Sequence, residues 1–247
     1  EIIFTSSNTG STVASRHMMA SLEAYRKTFT AAFKEFYGEP AQWSIYGLLP
    51  NYLEREGSSL VYMVDTLIKE CGSGGFYLND YERLIADIEA DPKPKILLGV
   101  SYALWDVAEQ YAPKLENTIV METGGMKGRR KELSKRELHA ILTAGFGVEH
   151  IHSEYGMAEL TSQAYSSGEG IFRAPQWMRI MVRDVNDPFD HTPTRGGIDI
   201  IDLANLSSCA FIQTEDMGRI YEDGSFMIEG RIAGSDIRGC NLLVHNM

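Results

Sequence analysis

An α/β fold, a largely parallel sheet with flanking helices plus a C-terminal antiparallel β subdomain, is what this sequence predicts, on three observations. Apolar strand-like runs alternate with helical periodicity from residue 2 to about residue 152, the pattern of a sheet whose parallel strands are joined by helices. From about residue 176 the texture changes to short β-like runs broken by Asn-Asp, Gly-Gly and Asp-Gly, which favours antiparallel pairing. The composition, 44% apolar with 23 Gly against 8 Pro in 247 residues, suits a globular chain with a substantial core. The α/β part is placed at residues 1–175 and the antiparallel part at residues 176–247, with no repeat or low-complexity linker between them.

Ile2, Ile3 and Phe4 read as the end of a buried strand, and residues 18–37 as a helix with Ser15 near its start. The polar run between them is then a strand-to-helix loop. Its backbone N–H groups, hydroxyls and adjoining helix N-terminus suit an anion such as phosphate. A short strand is expected at residues 42–46, and a helix over residues 59–71 stopped by Gly72. Residues 78–90 read as a helix entered near Asn79 or Asp80. KILLGV, residues 95–100, is a compact strand, and Ser101 is the expected N-cap of a helix carrying Leu104, Val107 and Ala108. A strand at residues 117–121, a helix over 134–144 with Lys135, Arg136 and Glu137 on its outer face, and a strand near 149–152 complete the alternation. The runs WMRIMVRDV, GGIDIIDL, SCAFIQTED, GRIYEDG and SFMIEGR then supply the antiparallel strands. In a parallel sheet, ligands collect beyond the carboxyl ends of the strands, where the polar loops at Thr5, Thr123 and Ser153 fall.

The formal charge of −11 argues against a nucleic-acid surface, which needs clustered Lys and Arg. No apolar stretch is long enough for a membrane span and no signal segment precedes the first strand, so a cytoplasmic location is expected. Cys71, Cys209 and Cys240 are widely spaced and form no C-x-x-C pair, which indicates neither a disulfide framework nor a thiolate zinc site. His150, His152 and Glu154 alternate along a strand, but no motif supplies the three or four ligands zinc requires. The chain opens on Glu1 in mid-fold, which leads to the expectation that natural sequence precedes it.

Five polar clusters follow one another in a set order: SSNTGST at residues 6–12, TGG at 123–125, SEYGMAE at 153–159, TEDMGR at 214–219 and GRIAGSDIRGC at 230–240. The first lacks the Gly-Lys-Ser/Thr ending of a P-loop. As an ordered set they resemble the acyl-adenylate-forming enzymes, the superfamily of acyl-CoA synthetases, luciferases and adenylation domains. The family's Ser/Thr/Gly phosphate loop is matched by Ser6, Ser7, Asn8, Thr9 and Gly10, with Asn8 in place of a usual glycine. Its YGxTE motif is matched by Tyr155 to Glu159, with Ala158 replacing threonine; its T-G-D motif by Thr214-Glu215-Asp216; and its GR motif by Gly230-Arg231.

That resemblance implies the N-terminal-domain type of the adenylate-forming fold without the C-terminal lid domain, residues 1–175 being an adenylate-binding core. It implies ATP and Mg²⁺ as cofactors. Ser6, Ser7, Thr9, Gly10 and Thr12 would hold the β- and γ-phosphates, and Glu159 would help hold the metal. Gly124, Gly125, Tyr155 and Gly156 would form the adenine slot, Asp216 would accept from the ribose hydroxyls, and Arg231 would lie near ribose and phosphate. Glu159, Arg231 and Cys240 are the expected catalytic residues. Within the superfamily the chain looks most like the acyl-protein synthetases of bacterial bioluminescence, with phenylacetate–CoA ligases as close relatives, on the strength of Ser15-Arg16-His17, TGGMKGR and the ending RGCNLL.

This narrower resemblance implies activation of a carboxylic acid, a fatty acid, and transfer of the acyl group to Cys240 for delivery to an acyl-reductase or acyl-transferase partner. A neighbouring Arg231 or Arg238 would lower the thiol pKa. By residue type alone, Cys240 reads equally well as a structural cysteine. The alternatives are an acyl-CoA ligase relative and a catalytically silent nucleotide-binding protein; Asn8 and Ala158, the departures from the motifs, speak for the latter.

Overall fold

The structure is a computed structural model that describes residues 2–6, 15–50, 57–124, 126, 130–131 and 133–232. It opens with a hairpin. β1 (Ile2–Thr5) pairs antiparallel with β2 (Arg16–Met19), Ile3 opposite Met18 and Thr5 opposite Arg16, as a separate two-stranded sheet. Met18, expected inside the first helix, therefore lies in a strand. His17 and Met19 are buried while Arg16 and Met18 are not, a period of two that three consecutive apolar residues conceal in the sequence. The first helix, α1 (Leu22–Tyr37), starts where Ser21 accepts the Ala24 N–H. Its positive end is consequently not the terminus of the polar loop, and the helix-dipole argument for that loop falls.

α1 buries Tyr25, Phe29, Ala32 and Phe33, one face at helical spacing. β3 (Ser44–Leu48) is buried along its whole length, as a parallel strand covered on both faces requires. α2 (Ser59–Cys71) is capped by Ser58 and closed by Gly72 in the left-handed conformation. β4 (Gly74–Tyr77) follows, a strand the sequence reading leaves out. Gly74 allows it: at φ +100° a side chain there would sit 1.9 Å from the Ile45 carbonyl oxygen. α3 (Tyr81–Ala90) is entered at Asp80, one of the two expected entry residues, whose carboxylate accepts the Arg83 N–H, so the helix proper excludes Leu78 and Asn79. β5 (Lys95–Val100) occupies the expected residues, and α4 (Ser101–Gln110) starts without a side-chain cap. Ser101 is not that cap: its Oγ lies 3.1 Å from Glu122 Oε2 and 2.9 Å from the Gly124 carbonyl oxygen.

β6 (Thr118–Thr123), α5 (Lys135–Phe146) and β7 (Ile151–Tyr155) complete the parallel part, α5 opening on a Ser134–Glu137 capping box. The chain then reverses through β8 (Ala164–Ser166) and β9 (Ile171–Arg173), two short strands not foreseen, into β10 (Met178–Arg183), β11 (Arg195–Asp202), β12 (Phe211–Ile220) and β13 (Phe226–Arg231). Expected as two runs, β12 is one strand, bulged between Met217 and Gly218 against β13.

All eleven of these strands form one mixed sheet in the order β10-β11-β12-β13-β9-β8-β7-β6-β5-β3-β4, parallel from β7 to β4 and antiparallel beyond. β8 and β9 splice the two halves by continuous backbone hydrogen bonding. Side-chain burial is nevertheless split. A large core lies between the parallel strands and the helices, and a smaller one surrounds Tyr155, Phe172, Val182, Ile198 and Phe226. Phe172 stacks on Phe226 at 5.4 Å and meets Tyr155 edge-on at 5.9 Å, a packing worth about 1.5–3 kcal/mol per ring from burial alone. Among the described residues no helix is long and apolar enough to cross a membrane.

Candidate active site

A cleft of about 340 Å³ opens at the carboxyl ends of β6 and β7, walled by the end of β1, the start of α2 and the edge formed by β12 and β13. Parallel strand ends meet antiparallel strands here, so side chains from distant segments converge. Ser6, Gly124, Tyr155, Gly156, Glu159, Asp216 and Arg231 all line it. Ser7, Asn8, Thr9, Gly10, Thr12, Gly125 and Cys240 lie outside the described residues.

The neck of the hairpin is tied on two sides. The Ser6 N–H donates to the Ser15 carbonyl at 3.0 Å, the Ser15 N–H donates to Ser6 Oγ at 2.9 Å, and the Thr5 N–H donates to the Gly57 carbonyl at 2.8 Å. The last bond fixes β1 against the entry to α2. Ser58, Ser59 and Leu60 then line the cleft, so the helix N-terminus that faces this space is that of α2.

At the opposite wall Asp216 and Arg231 stand opposite each other in the β12–β13 register. Asp216 is 3% exposed, and its Oδ2 accepts the Tyr155 hydroxyl at 2.8 Å across 61 residues of sequence. Its N–H donates to Thr214 Oγ1 at 3.1 Å, while that hydroxyl donates to the Ile198 carbonyl at 2.7 Å. Arg231 pairs with Glu215 and lies 3.8 Å from Asp216 Oδ1. A buried carboxylate thus has its backbone, its aromatic partner and its counter-charge supplied by three strands. Gly124, at φ +71°, turns the chain after β6 along the same cleft. Ala158 is 8% exposed and packs with the larger core, filling a position where a threonine hydroxyl would need a partner.

Beneath these residues lie two buried carboxyls that their motifs do not reveal. Glu122 accepts the Ser153 hydroxyl at 2.6 Å, pairs with the Lys135 ammonium, and has His139 Nε2 at 3.5 Å. Burial acts to raise its pKa, but the Lys135 and His139 charges and hydrogen bonds outweigh that and hold the carboxyl well below the usual carboxylate range. Lys135, expected on the outer face of its helix, therefore points inward. The first turn of α5 lies over the sheet, where a long side chain can cross to a buried charge.

Glu154 has the opposite character. Burial pushes its carboxyl up to about 7, against the hydrogen bond from Thr123, whose hydroxyl donates at 2.6 Å. Glu154, Thr123, Gln163 and Tyr25 all line the cleft. Thr123 and Glu154 fall within the TGG and SEYGMAE clusters, which give neither this role, and Gln163 shows in the sequence as an amide inside SQA.

His17 is buried on β2 with its pKa lowered by burial against the pull of Glu159. His152 hydrogen-bonds the Tyr37 hydroxyl at 3.1 Å, and burial lowers its pKa to about 4. Among the described residues no group of three or more His, Cys, Asp or Glu side chains is placed to hold a metal. Glu159 offers the cleft one carboxylate, a donor set that suits an ion carried in largely by phosphate oxygens.

No protein-family model matches the chain, and no curated protein matches it. Solved structures do. ATP-bound MatB from Rhodopseudomonas palustris aligns with a TM-score of 0.68 and 16% identity, over 93% of this chain and 47% of that one. A malonyl-CoA ligase in a ternary product complex with methylmalonyl-CoA and AMP gives 0.65 and 18%, over 94% and 53%. The amide bond synthetase McbA from Marinactinospora thermotolerans gives 0.63 and 14%, over 93% and 48%. At these identities the likeness establishes the fold: the mixed α/β architecture of acyl-CoA synthetase-like, adenylate-forming enzymes. The chain spans about half the length of the structures it matches.

Proposed function

We propose that this protein is an ATP-dependent ligase that activates a carboxylic acid as acyl-AMP and passes the acyl group to a thiol. The observation that carries the reading is the convergence of Tyr155, Asp216 and Arg231 on one cleft that also holds Gly124, Ser6 and Glu159. In this reading Gly124 and Gly125 let a flat base approach the backbone beside Tyr155 and Gly156. Asp216, buried and already accepting one hydrogen bond, takes the ribose hydroxyls. Arg231 balances its charge and reaches toward the phosphate. Ser6, with Ser7, Thr9, Gly10 and Thr12, holds the β- and γ-phosphates, helped by the N-terminus of α2. Magnesium, with Glu159 as its protein ligand, supplies neutralisation of phosphate charge when bound.

A carboxylate oxygen of the acid attacks the α-phosphorus of ATP as the bond to the β-phosphate oxygen breaks, and pyrophosphate departs with that electron pair. The cleft's part is alignment and charge stabilisation. The second half-reaction rests on sequence alone: the Cys240 thiolate attacks the acyl carbonyl, AMP leaves, and the thioester goes on to an acyl-reductase or acyl-transferase. The malonyl-CoA ligase likeness favours a second reading in which the thiol belongs to coenzyme A.

One experiment separates them. The full-length protein is incubated with ATP, Mg²⁺ and mixed carboxylic acids, including fatty acids, and followed by pyrophosphate release and intact-mass spectrometry. A hydroxylamine-labile adduct lost in Cys240→Ser supports the acyl-protein reading, whereas pyrophosphate release that is stimulated by coenzyme A without an adduct supports the other. Absence of release in every mixture, together with ATP binding unaffected by Asp216→Ala, refutes adenylate formation at this cleft.

A further inference from the structure

Asp216 reaches the cleft because β12 leaves its register with β11. Gly197 stands opposite Met217 and Asp199 opposite Gln213, so Ile198 alone faces Thr214, Glu215 and Asp216. Such a bulge re-aims side chains but takes backbone groups out of the ladder, and the carbonyls of buried residues such as Thr214 and Ile198 still need donors. Arg183 brings them. It sits on β10 opposite Gly197, and its side chain, 7% exposed, crosses β11 to the bulge. Nη2 donates to the Thr214 carbonyl at 2.7 Å, and Nη1 donates to the Ile198 carbonyl at 3.1 Å and to Asp199 Oδ1 at 2.5 Å. The crossing depends on Gly197, where a methyl group would lie 2.6 Å from Arg183 Cζ and 2.8 Å from each terminal nitrogen.

The residue that Arg183 holds by its carbonyl holds Asp216 in turn, since the Asp216 N–H donates to Thr214 Oγ1. Thr214, Glu215 and Asp216 line the cleft, whereas Arg183 is not among its described lining residues. The guanidinium charge is matched by Asp199, whose other oxygen lies 3.0 Å from His191 Nε2. Arg183 is therefore a brace on the backbone and not a ligand for an anion in the cleft. Two carbonyls and a carboxylate are reached at once only by a planar fork of several fixed donors. We propose that Arg183, seated over Gly197, is the positioning residue that fixes Asp216 for the ribose hydroxyls of the nucleotide. The inference rests on the nucleotide site of the reading above and adds to it a residue that touches no substrate. Its consequence is specific. Without the brace the bulge relaxes and Asp216 shifts, so the nucleotide loses what its hydroxyls contribute while its base and phosphates keep their contacts.

The test is calorimetric binding of ATP, 2′-deoxy-ATP and 3′-deoxy-ATP to the full-length protein, each with Mg²⁺ and without an acid. A hydrogen bond to a charged group predicts that the wild type prefers ATP to the weaker-binding deoxy analogue by at least about tenfold in Kd, and that Asp216→Ala abolishes the preference. Arg183→Met should bring that preference below about threefold. Gly197→Ala should do the same by displacing the guanidinium while every charge is kept, and it carries the test if the thermal melt shows that Arg183→Met does not fold. A variant that is merely less stable binds all three nucleotides with the wild-type ratio. An unchanged ratio in either folded variant therefore overturns the proposal and leaves the nucleotide site standing. Absence of ATP binding by the wild type, absence of a preference, or a preference that survives Asp216→Ala overturns the reading of the nucleotide site and the proposal with it.

Discussion

Replacing Lys135 by methionine should destabilise the protein severely, through Glu122. The glutamate side chain is 3% exposed and the lysine 20%, so removal of the ammonium strands a carboxylate in the interior. Breaking such a pair from one side costs about 3–5 kcal/mol. Ser153, Ser101 and His139 remain as partners of Glu122, which favours the lower end, about 3 kcal/mol. For a domain of this size that corresponds to a fall in Tm of roughly 6–12 °C. The double variant Glu122→Gln/Lys135→Met removes both charges and should recover part of the loss, giving a coupling of at least about 1 kcal/mol in a double-mutant cycle.

The pH dependence is diagnostic. In the wild type the folded pKa of Glu122 is depressed, so its stabilising contribution is present above the ordinary carboxylate range and is lost as pH falls through the folded value. In Lys135→Met burial acts with less opposition and the pKa rises. The deficit relative to wild type should therefore be greatest at neutral pH and shrink as pH falls through about 4.5. Urea unfolding at pH 7 and pH 4.5 measures both effects. A deficit below about 1 kcal/mol at pH 7, or one unchanged at pH 4.5, would refute the buried-pair account.

Glu154 supplies the opposite slope. Its folded pKa is raised to about 7, so its contribution is fully present below the ordinary carboxylate pKa and is lost as pH climbs through about 7, a change of roughly 3 kcal/mol. Stability of wild type minus Glu154→Gln, from urea midpoints between pH 4.5 and 8, should fall by that order; a flat difference would mean that the carboxyl is solvated. Phe172→Ala should cost about 3–5 kcal/mol, since the ring is 1% exposed and touches both Phe226 and Tyr155. A shift in urea midpoint equivalent to less than about 1 kcal/mol would show that the smaller core collapses around the gap.

Part of this molecule is legible without coordinates, and the reason is locality. KILLGV must be covered on both faces, because no alternation offers a solvent side, and β5 is buried throughout. Gly72, expected to stop α2, does so in the left-handed conformation, with its N–H bonded to the Ile68 carbonyl one turn back. The motifs around Tyr155 and Asp216 could likewise be read in order, although nothing in either stretch states that the two side chains touch.

What the tertiary structure alone decided is long-range. The β1–β2 hairpin displaced an expected helix start because Met18, Met19 and Ala20 satisfy either periodicity, and pairing with Ile2 and Ile3 selects the strand. β4, β8 and β9 are three or four residues each, too short to display a period, and exist because neighbouring strands offer them hydrogen bonds. Lys135 and Glu154 carry the same charge labels as dozens of surface residues; a buried partner turns one into a structural ion, and burial turns the other into a carboxyl raised to about 7. Local sequence determined where this chain bends and which stretches cross its core. The fold determined which side chains meet in one cleft, such as Tyr155 and Asp216, 61 residues apart, because that depends on the order of strands in the sheet and no short window of sequence contains it.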